Sequence, residues 1–367
     1  SRGLGDVYKR QIMGIIWPIF SSHKMPPRFD NILSWIIWIP IMGMVAIAFI
    51  PRDKKDLIKQ IAAVTTGIQL ILAIMLWSVF DATSGSFQFM ERAEWIPSLG
   101  ISYILGIDGL SLPMVALNAL IAFLGVFVSW NIDRAVKGYF ALFLLLDTGV
   151  MGVFLSLDFF LFYVFWEVML LPMYFLIGMW GGPQRHYAAI KFFLYTLFGS
   201  VFMLLSMLAL YYYTTPNTFS LTLLITEAPK IDATLWGFDI RFLIWIGLFI
   251  GFAIKVPVFP FHTWLPLAHV EAPTAISVIL AGVLLKMGTY GLLRISYPLL
   301  PFEAINFAYT LAILGVINIL WGAVNAIAQI DMKKMVAYSS VSHMGYVILG
   351  MASVVSQSNA GAQAGLN

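Results

Sequence analysis

The feature that most constrains this chain is a pair of long apolar segments, each with a lysine near its middle. They cover roughly 241–261 and 273–297, and each is long enough to cross a bilayer as a helix of about 20 residues. Lys255 lies in the first segment and Lys286 in the second. An ammonium at the bilayer centre costs on the order of 3 kcal/mol, so we expect both lysines to face protein or water.

The first of these segments is also predicted to be a broken helix. Pro257 and Pro260 follow Lys255 closely, and proline has no N–H and clashes with the carbonyl four residues before it. The carbonyls of Ala253 and Val256 are therefore expected to lose their helical partners. Irregular backbone at membrane depth is tolerated only where it is buried in protein or lines a wet cavity. The pattern predicts a helix interrupted beside a buried charge.

The composition places the whole chain in a membrane. Of its 367 residues 60% are hydrophobic and 11% are charged, and the mean hydropathy is +0.89. Because the chain has no cysteine, cysteine-ligated iron–sulfur clusters, disulfides and thiol catalysis are excluded within it. It also has no phosphate-binding loop and no dinucleotide fingerprint. We expect an all-α polytopic membrane protein with no metal, no cofactor and no nucleic acid bound to this chain.

Hydrophobic runs predict about ten transmembrane helices. They cover about 32–50, 57–80, 110–130, 138–156, 158–180, 190–213, 241–261, 273–297, 303–328 and 335–354. Residues 1–30 are unlike the rest, since they are polar and their apolar run is too short to span. We expect them to be a non-native extension, or else a polar tail. The long loop over 214–240 is expected to carry a short interfacial helix.

Five of the predicted helices each place an ionisable residue near their middle. These residues are Asp147, Glu167, Lys255, Lys286 and His343. Left uncompensated, their insertion would cost more than about 10 kcal/mol, so they are expected to face one another or water. A line of acid, base and histidine at one depth is what a proton relay requires. Glu167 is the expected ion-pair partner of Lys255, and the pair would titrate as a unit.

Each of these residues also has a plainer interpretation. A buried lysine–glutamate pair is often only structural, and Asp147 can cap a kink or bond a neighbouring side chain. His343 can simply donate a hydrogen bond to a carbonyl. His262, which flanks the predicted break, is a secondary candidate and can equally be interfacial. The common depth of the set favours the relay over any single residue taken alone.

A resemblance to a known family is carried mainly by residues 259–294. They read FPFHTWLPLAHVEAPTAISVILAGVLLKMGTYGLLR, which resembles the antiporter-like subunits of respiratory complex I, the NADH–quinone oxidoreductase, in their M-type form. FWEVMLLPMYFLIGMWGG and KKMVAYSSVSHMGYVILG resemble the same family, and the resemblance covers about 32–355. Leu267 stands where an aspartate is common in that family, which puts in doubt any acidic proton-gathering role there.

The resemblance implies a fold of fourteen core helices with two inverted five-helix repeats, each containing a broken helix. On that scheme residues 31–130 hold helices one to three, 138–297 hold the first repeat, and 303–355 begin the second. We expect the full protein to continue towards an acidic residue on the twelfth helix. The family's central proton path matches Glu167, Lys255, Lys286 and His343 in this sequence.

The function that the resemblance implies is proton translocation driven by redox chemistry in other subunits. NADH, FMN, iron–sulfur clusters and quinone are then expected in partner subunits, with L- and N-type subunits as neighbours in a bacterial cytoplasmic membrane. Two alternatives stay open. One is a subunit of a multisubunit sodium/proton antiporter or of a membrane-bound hydrogenase, and the other is a passive membrane scaffold.

The loops predict the orientation of the chain. Ten lysines and arginines lie in loops on one side of the membrane and four on the other, so the 51–60 loop should be cytoplasmic and 81–109 external. In this cysteine-free chain, Lys54→Cys should react with an impermeant thiol reagent only from the cytoplasm, and Gln88→Cys only from outside. Labelling of Gln88→Cys from the cytoplasm alone would contradict the orientation.

Overall fold

The computed structural model describes residues 31–364, with side chains described up to Ser353. The expected extension over 1–30 lies outside the described residues. In chain order the helices are α1 (Ile32–Phe49), α2 (Lys55–Val79), α3 (Ser111–Val128), α4 (Val136–Leu155), α5 (Phe159–Trp180), α6 (Arg185–Tyr213), α7 (Leu221–Glu227), α8 (Ile240–Lys255), α9 (Leu265–Glu271), α10 (Thr274–Leu299), α11 (Pro301–Ile327) and α12 (Met332–Ala364).

The helical membrane class predicted from the sequence is confirmed. Within the described part of the chain eight helices, α1 to α6 with α10 and α11, are long and apolar enough to cross a membrane. The other two predicted spans fall on α8, which has 16 residues, and α12, which has 33. The total of ten spans stays a prediction. The short helix α7 lies within the predicted loop 214–240.

The loop over 81–109 contains a β-hairpin, which was not predicted from the sequence. Strands β1 (Gln88–Ile96) and β2 (Ile101–Ile107) pair antiparallel. A second, smaller hairpin, β3 (Thr234–Leu235) with β4 (Phe238–Asp239), precedes α8. Strands β1 and β2 were not predicted from the sequence, because neither strand has a regular alternation of buried and exposed residues.

The first hairpin and a nearby aspartate provide acceptors for two helix N-termini. Glu91 in β1 accepts a hydrogen bond from the backbone N–H of Leu33 (2.7 Å) at the start of α1. Asp158, just before α5, accepts from the N–H of Leu161 (3.1 Å) and also from the N–H of Ser102 in β2 (3.2 Å). A carboxylate at a helix N-terminus satisfies free N–H groups and complements the helix dipole. The hairpin therefore fixes the ends of helices that are far apart in sequence.

An ion pair joins the end of this hairpin to α10. Arg294, which is 9% exposed, donates from Nη2 to Oδ1 of Asp108 (2.5 Å) and from Nε to the hydroxyl of Tyr290 (3.1 Å). The Tyr290 hydroxyl in turn donates to the carbonyl of Phe154 in α4 (2.9 Å). Burial raises the pKa of the Asp108 carboxyl, but the hydrogen bond and charge of Arg294 and the hydrogen bonds from Ser111 together outweigh burial and hold that pKa below its ordinary value of 3.8.

The membrane helices differ in how many of their residues are buried. Over an apolar 18-residue stretch of each helix, 78% of α4 and 72% of α10 is buried, against 33% of α2 and 28% of α11. Helices α4 and α10 therefore lie at the centre, and the more exposed helices surround them. Gly288 lets α10 approach α8 closely, because a Cβ at that position would lie 3.0 Å from the carbonyl oxygen of Phe252. The core places the lysine-bearing helices side by side.

We expect Asp108→Asn to destabilise the protein by about 2 kcal/mol, because it leaves the buried Arg294 without its ion pair. Since the folded pKa of Asp108 is lowered, this difference from wild type should be present above about pH 4 and should shrink as the pH falls through that lowered value. The measurement is the midpoint of thermal unfolding in detergent at several pH values. Glu94→Gln, an exposed acid in the same hairpin, is the control and should change little; an equal loss in both variants would contradict the assignment.

Candidate functional site

The predicted break in the membrane helix is present beside Lys255. Helix α8 ends at Lys255, and the chain resumes as a 3₁₀ turn over Phe261–Trp264 that leads into α9. The carbonyl of Ala253 has no helical partner, because Pro257 has no N–H, and it accepts a hydrogen bond from the N–H of Val258 (2.9 Å) instead. The backbone at the break thus brings the N–H of Val258, which follows Pro257, to this carbonyl.

Two side chains that the sequence did not single out satisfy the backbone around the break. The indole Nε1 of Trp264 donates to the carbonyl of Ile254 (2.8 Å). Asn318, fully buried on α11, accepts from the N–H of Phe259 (2.6 Å) and donates to the carbonyl of Pro257 (3.2 Å). With no water to replace these bonds, the irregular backbone depends on them. Asn318 thereby attaches the break to α11.

The Lys255 side chain is held between aromatic rings. It is 1% exposed, and its Nζ lies 5.5 Å from the centroid of the Trp166 ring and 5.4 Å from that of Phe192. Its Nζ has no hydrogen-bond partner among the described residues. The ring faces attract a cation, but each such contact offsets only part of the cost of removing an ammonium from water.

Glu167 lies on α5 next to Trp166, where that helix is irregular. The helical hydrogen-bond pattern is interrupted at Met169, three residues before Pro172. Glu167 is half-buried, with Tyr163 and Ser200 as its polar neighbours, and its Oε1 has no hydrogen-bond partner in the described structure. It is the acidic side chain whose charge acts on Lys255.

The predicted direct ion pair between Glu167 and Lys255 is not formed. Within the described residues, no oxygen of Glu167 lies within 4.0 Å of the Lys255 Nζ. The reason is that the ammonium lies against the rings of Trp166 and Phe192 instead. The two groups are electrostatic neighbours with both charges incompletely satisfied.

Lys286 follows a widened turn of α10. Residues Leu280–Leu284 form a π-helical stretch, and a second one covers Leu292–Ser296. The Lys286 side chain is half-buried and donates from Nζ back to the carbonyl of Ala281 (2.5 Å). Such bulges are frequent at functional sites, because they free a backbone carbonyl and re-aim side chains. Here the ammonium of Lys286 binds one of the carbonyls of the widened turn.

His343 is not brought together with the other ionisable groups. It is exposed on α12, and its ring has Tyr346 as an aromatic neighbour at 6.4 Å. The opposite face of α12 packs on α11 through Gly345, where a Cβ would lie 2.7 Å from the carbonyl oxygen of Gly315. Positions two apart differ by about 200° around a helix, so burying Gly345 turns His343 outward. Among the described helices His343 therefore contacts none of the other four groups, and the expectation that it faces protein or water stays a prediction.

The two secondary candidates belong to separate surroundings. Asp147, 3% exposed on α4, accepts a hydrogen bond from Nδ2 of Asn118 on α3 (2.6 Å). The amide nitrogen of Gln69 on α2 donates to the carbonyl of Ile36 (3.0 Å). His262 lies in the turn after the break, where its Nε2 accepts from the indole N–H of Trp321 (2.9 Å). Asp147 thus forms a buried amide–carboxylate cluster, and His262 is anchored to α11.

Comparison with known proteins identifies the family. Residues 156–366 match the family model described as NADH:quinone oxidoreductase/Mrp antiporter, TM. That match includes α5, α8, α10 and the residues of the break, and it covers more than half of the chain. This chain belongs to that family.

Individual relatives are similar over most of the chain. It is 41% identical over 337 residues to the NADH-quinone oxidoreductase subunit M of Rickettsia conorii, which is 90% of this chain and 67% of that protein. It is also 41% identical over 323 residues to the NAD(P)H-quinone oxidoreductase chain 4-3 of Nostoc sp., which is 87% of this chain and 56% of that protein. The chain therefore spans between about half and two thirds of the length of these relatives.

Two solved structures share the fold. A chain of the respiratory complex I from Thermus thermophilus with bound NADH superimposes with a TM-score of 0.76 at 29% identity, covering 88% of this chain and 64% of that one. A chain of the membrane-bound sulfane sulfur reductase, an archaeal respiratory membrane complex, superimposes with a TM-score of 0.75 at 23% identity, over 88% and 65%. The second likeness concerns the fold alone.

The site residues that sequence reasoning missed are mostly amides and aromatic rings. Asn318, Asn118 and Gln69 are uncharged, so they were not counted among the costly groups, although an amide inside an apolar helix also needs a partner. Trp166 and Phe192 looked like ordinary apolar residues of the protein core. Amides within the spans were a usable signal, whereas the role of the rings depends on side-chain directions that a sequence does not give.

We expect Asn318→Ala to destabilise the break by about 2 kcal/mol or more, because it leaves a buried N–H and a buried carbonyl unpaired. The measurement is the midpoint of thermal unfolding in detergent, together with the rate of proteolysis at the break. Asn325→Ala on the same helix is the matched control, since Asn325 is half-buried and its side chain donates only to the carbonyl of Trp321, one turn away on α11, among the described residues. Equal stability of the two variants would contradict the role given to Asn318.

Proposed function

We propose that this chain is a proton-translocating membrane subunit of an NADH–quinone oxidoreductase. The proposal is supported by identities of about 41% to proteins named as subunit M or chain 4 of such enzymes. It is also supported by the likeness to a chain of a respiratory complex I at 29% identity. In this proposal the redox reaction takes place in other subunits and drives proton movement through this one.

The observation that carries the proposal is Lys255 at the end of a broken helix. This lysine is 1% exposed and lacks a hydrogen-bond partner among the described residues, and it lies near a half-buried glutamate. Burying such a charge costs free energy of folding. A passive scaffold gains nothing from such a group. A proton carrier needs one, because a weakly satisfied charge can change protonation when a neighbouring charge moves.

The geometry supports a mechanism based on two positions of Lys255. In one position the ammonium lies between the rings of Trp166 and Phe192, as observed, and in the other it contacts Glu167. Contact with the carboxylate favours the charged lysine, and separation makes release of its proton easier. Moving one proton against 100 mV takes about 2.3 kcal/mol, which is within the range of breaking a partly buried ion pair.

Beyond Lys255 we propose that the proton passes to Lys286 and then towards His343. Gly288 brings α10 against α8, which places the helices of the two lysines in contact. His343 lies on the exposed face of α12, where we propose that further helices of the family's fold pack. Uptake of the proton is proposed at the cytoplasmic end of the break, close to His262.

The assembly follows from the same proposal. The neighbours would be other membrane subunits of the enzyme, especially those of L and N type, in a bacterial cytoplasmic membrane. NADH, FMN, iron–sulfur clusters and quinone would all be bound by partner subunits. The second candidate is a subunit of a multisubunit sodium/proton antiporter, which the description of the matched family also names. Quinone-dependent pumping in sodium-free medium favours the first, and sodium-driven proton exchange without a redox substrate favours the second.

We expect Lys255→Ala and Glu167→Ala each to abolish most proton pumping in the assembled enzyme, because either change leaves a buried charge without its electrostatic neighbour. Glu167→Asp should retain more pumping than Glu167→Gln, since it keeps the charge and loses only reach. Lys286→Ala should also reduce pumping. The measurement is proton uptake into membrane vesicles during quinone reduction.

Leu267→Ala is the matched control, as it changes a residue near the break that carries no charge. Assembly of every variant is checked on a native gel, so that loss of pumping is separated from loss of the complex. Normal assembly with near wild-type pumping in both Lys255→Ala and Glu167→Ala would show that the relay is wrong.

A further inference from the structure

A groove between α1 and α4 lies away from the ionisable residues of the proposed relay. It has a volume of about 900 Å³ and is formed by the last turns of α1, the start of α2 and the first turns of α4. Its walls include Val45, which is 46% exposed, and Phe49, which is 85% exposed. An apolar groove at the end of a membrane helix extends from the hydrocarbon to the headgroup level.

The polar end of the groove carries an excess of positive charge. Arg52, Lys55 and Lys137 line it together with a single acid, Asp133. Asp133 already has a partner, since its Oδ1 lies 3.6 Å from the Nζ of the buried Lys59. The groove therefore presents three cations against one acid.

These cations are available to a ligand to different degrees. Arg52 and Lys55 are exposed, and their side chains form no hydrogen bond or ion pair with the other side chains described up to residue 353. Lys137 is held in place by donating from Nζ to the carbonyls of Ala48 (2.8 Å) and Ile50 (2.9 Å), and one of its three N–H donors is left for another partner.

Two helix N-termini add to this positive end. Helix α2 begins at Lys55 and α4 begins at Val136, and neither N-terminus is capped by the side chain of the residue before it. The first residues of both helices line the groove. Free N–H groups and the positive end of the helix dipole favour a bound anion. The cations and the free amides therefore converge at the same end.

We propose that this groove binds an anionic phospholipid, with its phosphate at Arg52, Lys55 and Lys137 and an acyl chain along Val45 and Phe49. The charge selects an anion, and the apolar walls select one that carries a hydrocarbon chain. Basic pockets between membrane helices at the cytoplasmic surface are suited to such headgroups. The lipid would fill the space between α1 and α4 and bridge three helices.

The test titrates the full chain, purified in detergent, with fluorescent phosphatidylglycerol and with cardiolipin, and compares phosphatidylcholine. Both anionic lipids should bind more tightly than phosphatidylcholine. Arg52→Gln combined with Lys55→Gln should weaken anionic-lipid binding about 30-fold, since each basic side chain contributes about fivefold. Lys54→Gln combined with Lys334→Gln is the control, because it removes two exposed charges that do not line the groove.

Two further binding measurements identify the molecule that occupies the groove. Ala141→Trp, which fills the apolar part of the groove, should also weaken lipid binding, whereas inorganic phosphate should not displace the lipid. The proposal is overturned if phosphatidylcholine binds equally, if the control double variant matches Arg52→Gln/Lys55→Gln, or if inorganic phosphate displaces the lipid. Cross-linking of a photoreactive residue at position 49 to a protein instead of phospholipid, in the assembled complex, would overturn it as well.

Discussion

The need to satisfy every backbone polar group without water is the constraint on which this structure depends. A broken helix at membrane depth exposes carbonyls and N–H groups that only the protein can bind. Here Trp264 and Asn318 provide those bonds, and the chain itself returns the N–H of Val258 to Ala253. Because Asn318 belongs to α11, the break is stable only when α11 is packed against it.

This bonding of the break leaves Lys255 in a defined but unsatisfied position. Several backbone carbonyls around it already accept hydrogen bonds, and the ammonium lies against the rings of Trp166 and Phe192, near the charge of Glu167. Aromatic faces hold a cation less strongly than a carboxylate does at contact distance. The structure thus combines a hydrogen-bonded backbone with one incompletely satisfied charge, which is the combination that the proposed proton carrier requires.

The outer loops contribute to the same rigidity from a distance. Glu91 binds the start of α1, Asp158 binds the start of α5 and the hairpin, and Asp108 binds Arg294 near the end of α10. These carboxylates lie at helix ends, where the polar backbone leaves the hydrocarbon and where an acid is favourable. They fix the ends of helices whose middles carry Glu167 and Lys286.

The sequence by itself determined the membrane class, the approximate spans and the break after Lys255. It also showed which ionisable residues lie within the spans, where burying their charge is costly. Those conclusions follow from hydropathy, proline chemistry and the cost of burying charge, which depend on local sequence alone. The partners of those residues were decided only by the tertiary structure. The same local rules predicted a Glu167–Lys255 ion pair and a buried His343, but aromatic rings separate the first pair and the packing of Gly345 on α11 turns the histidine outward. The hairpin was missed because its strands lack a regular alternation of buried and exposed residues, and the role of Asn318 was missed because it depends on contacts with a segment far away in the chain.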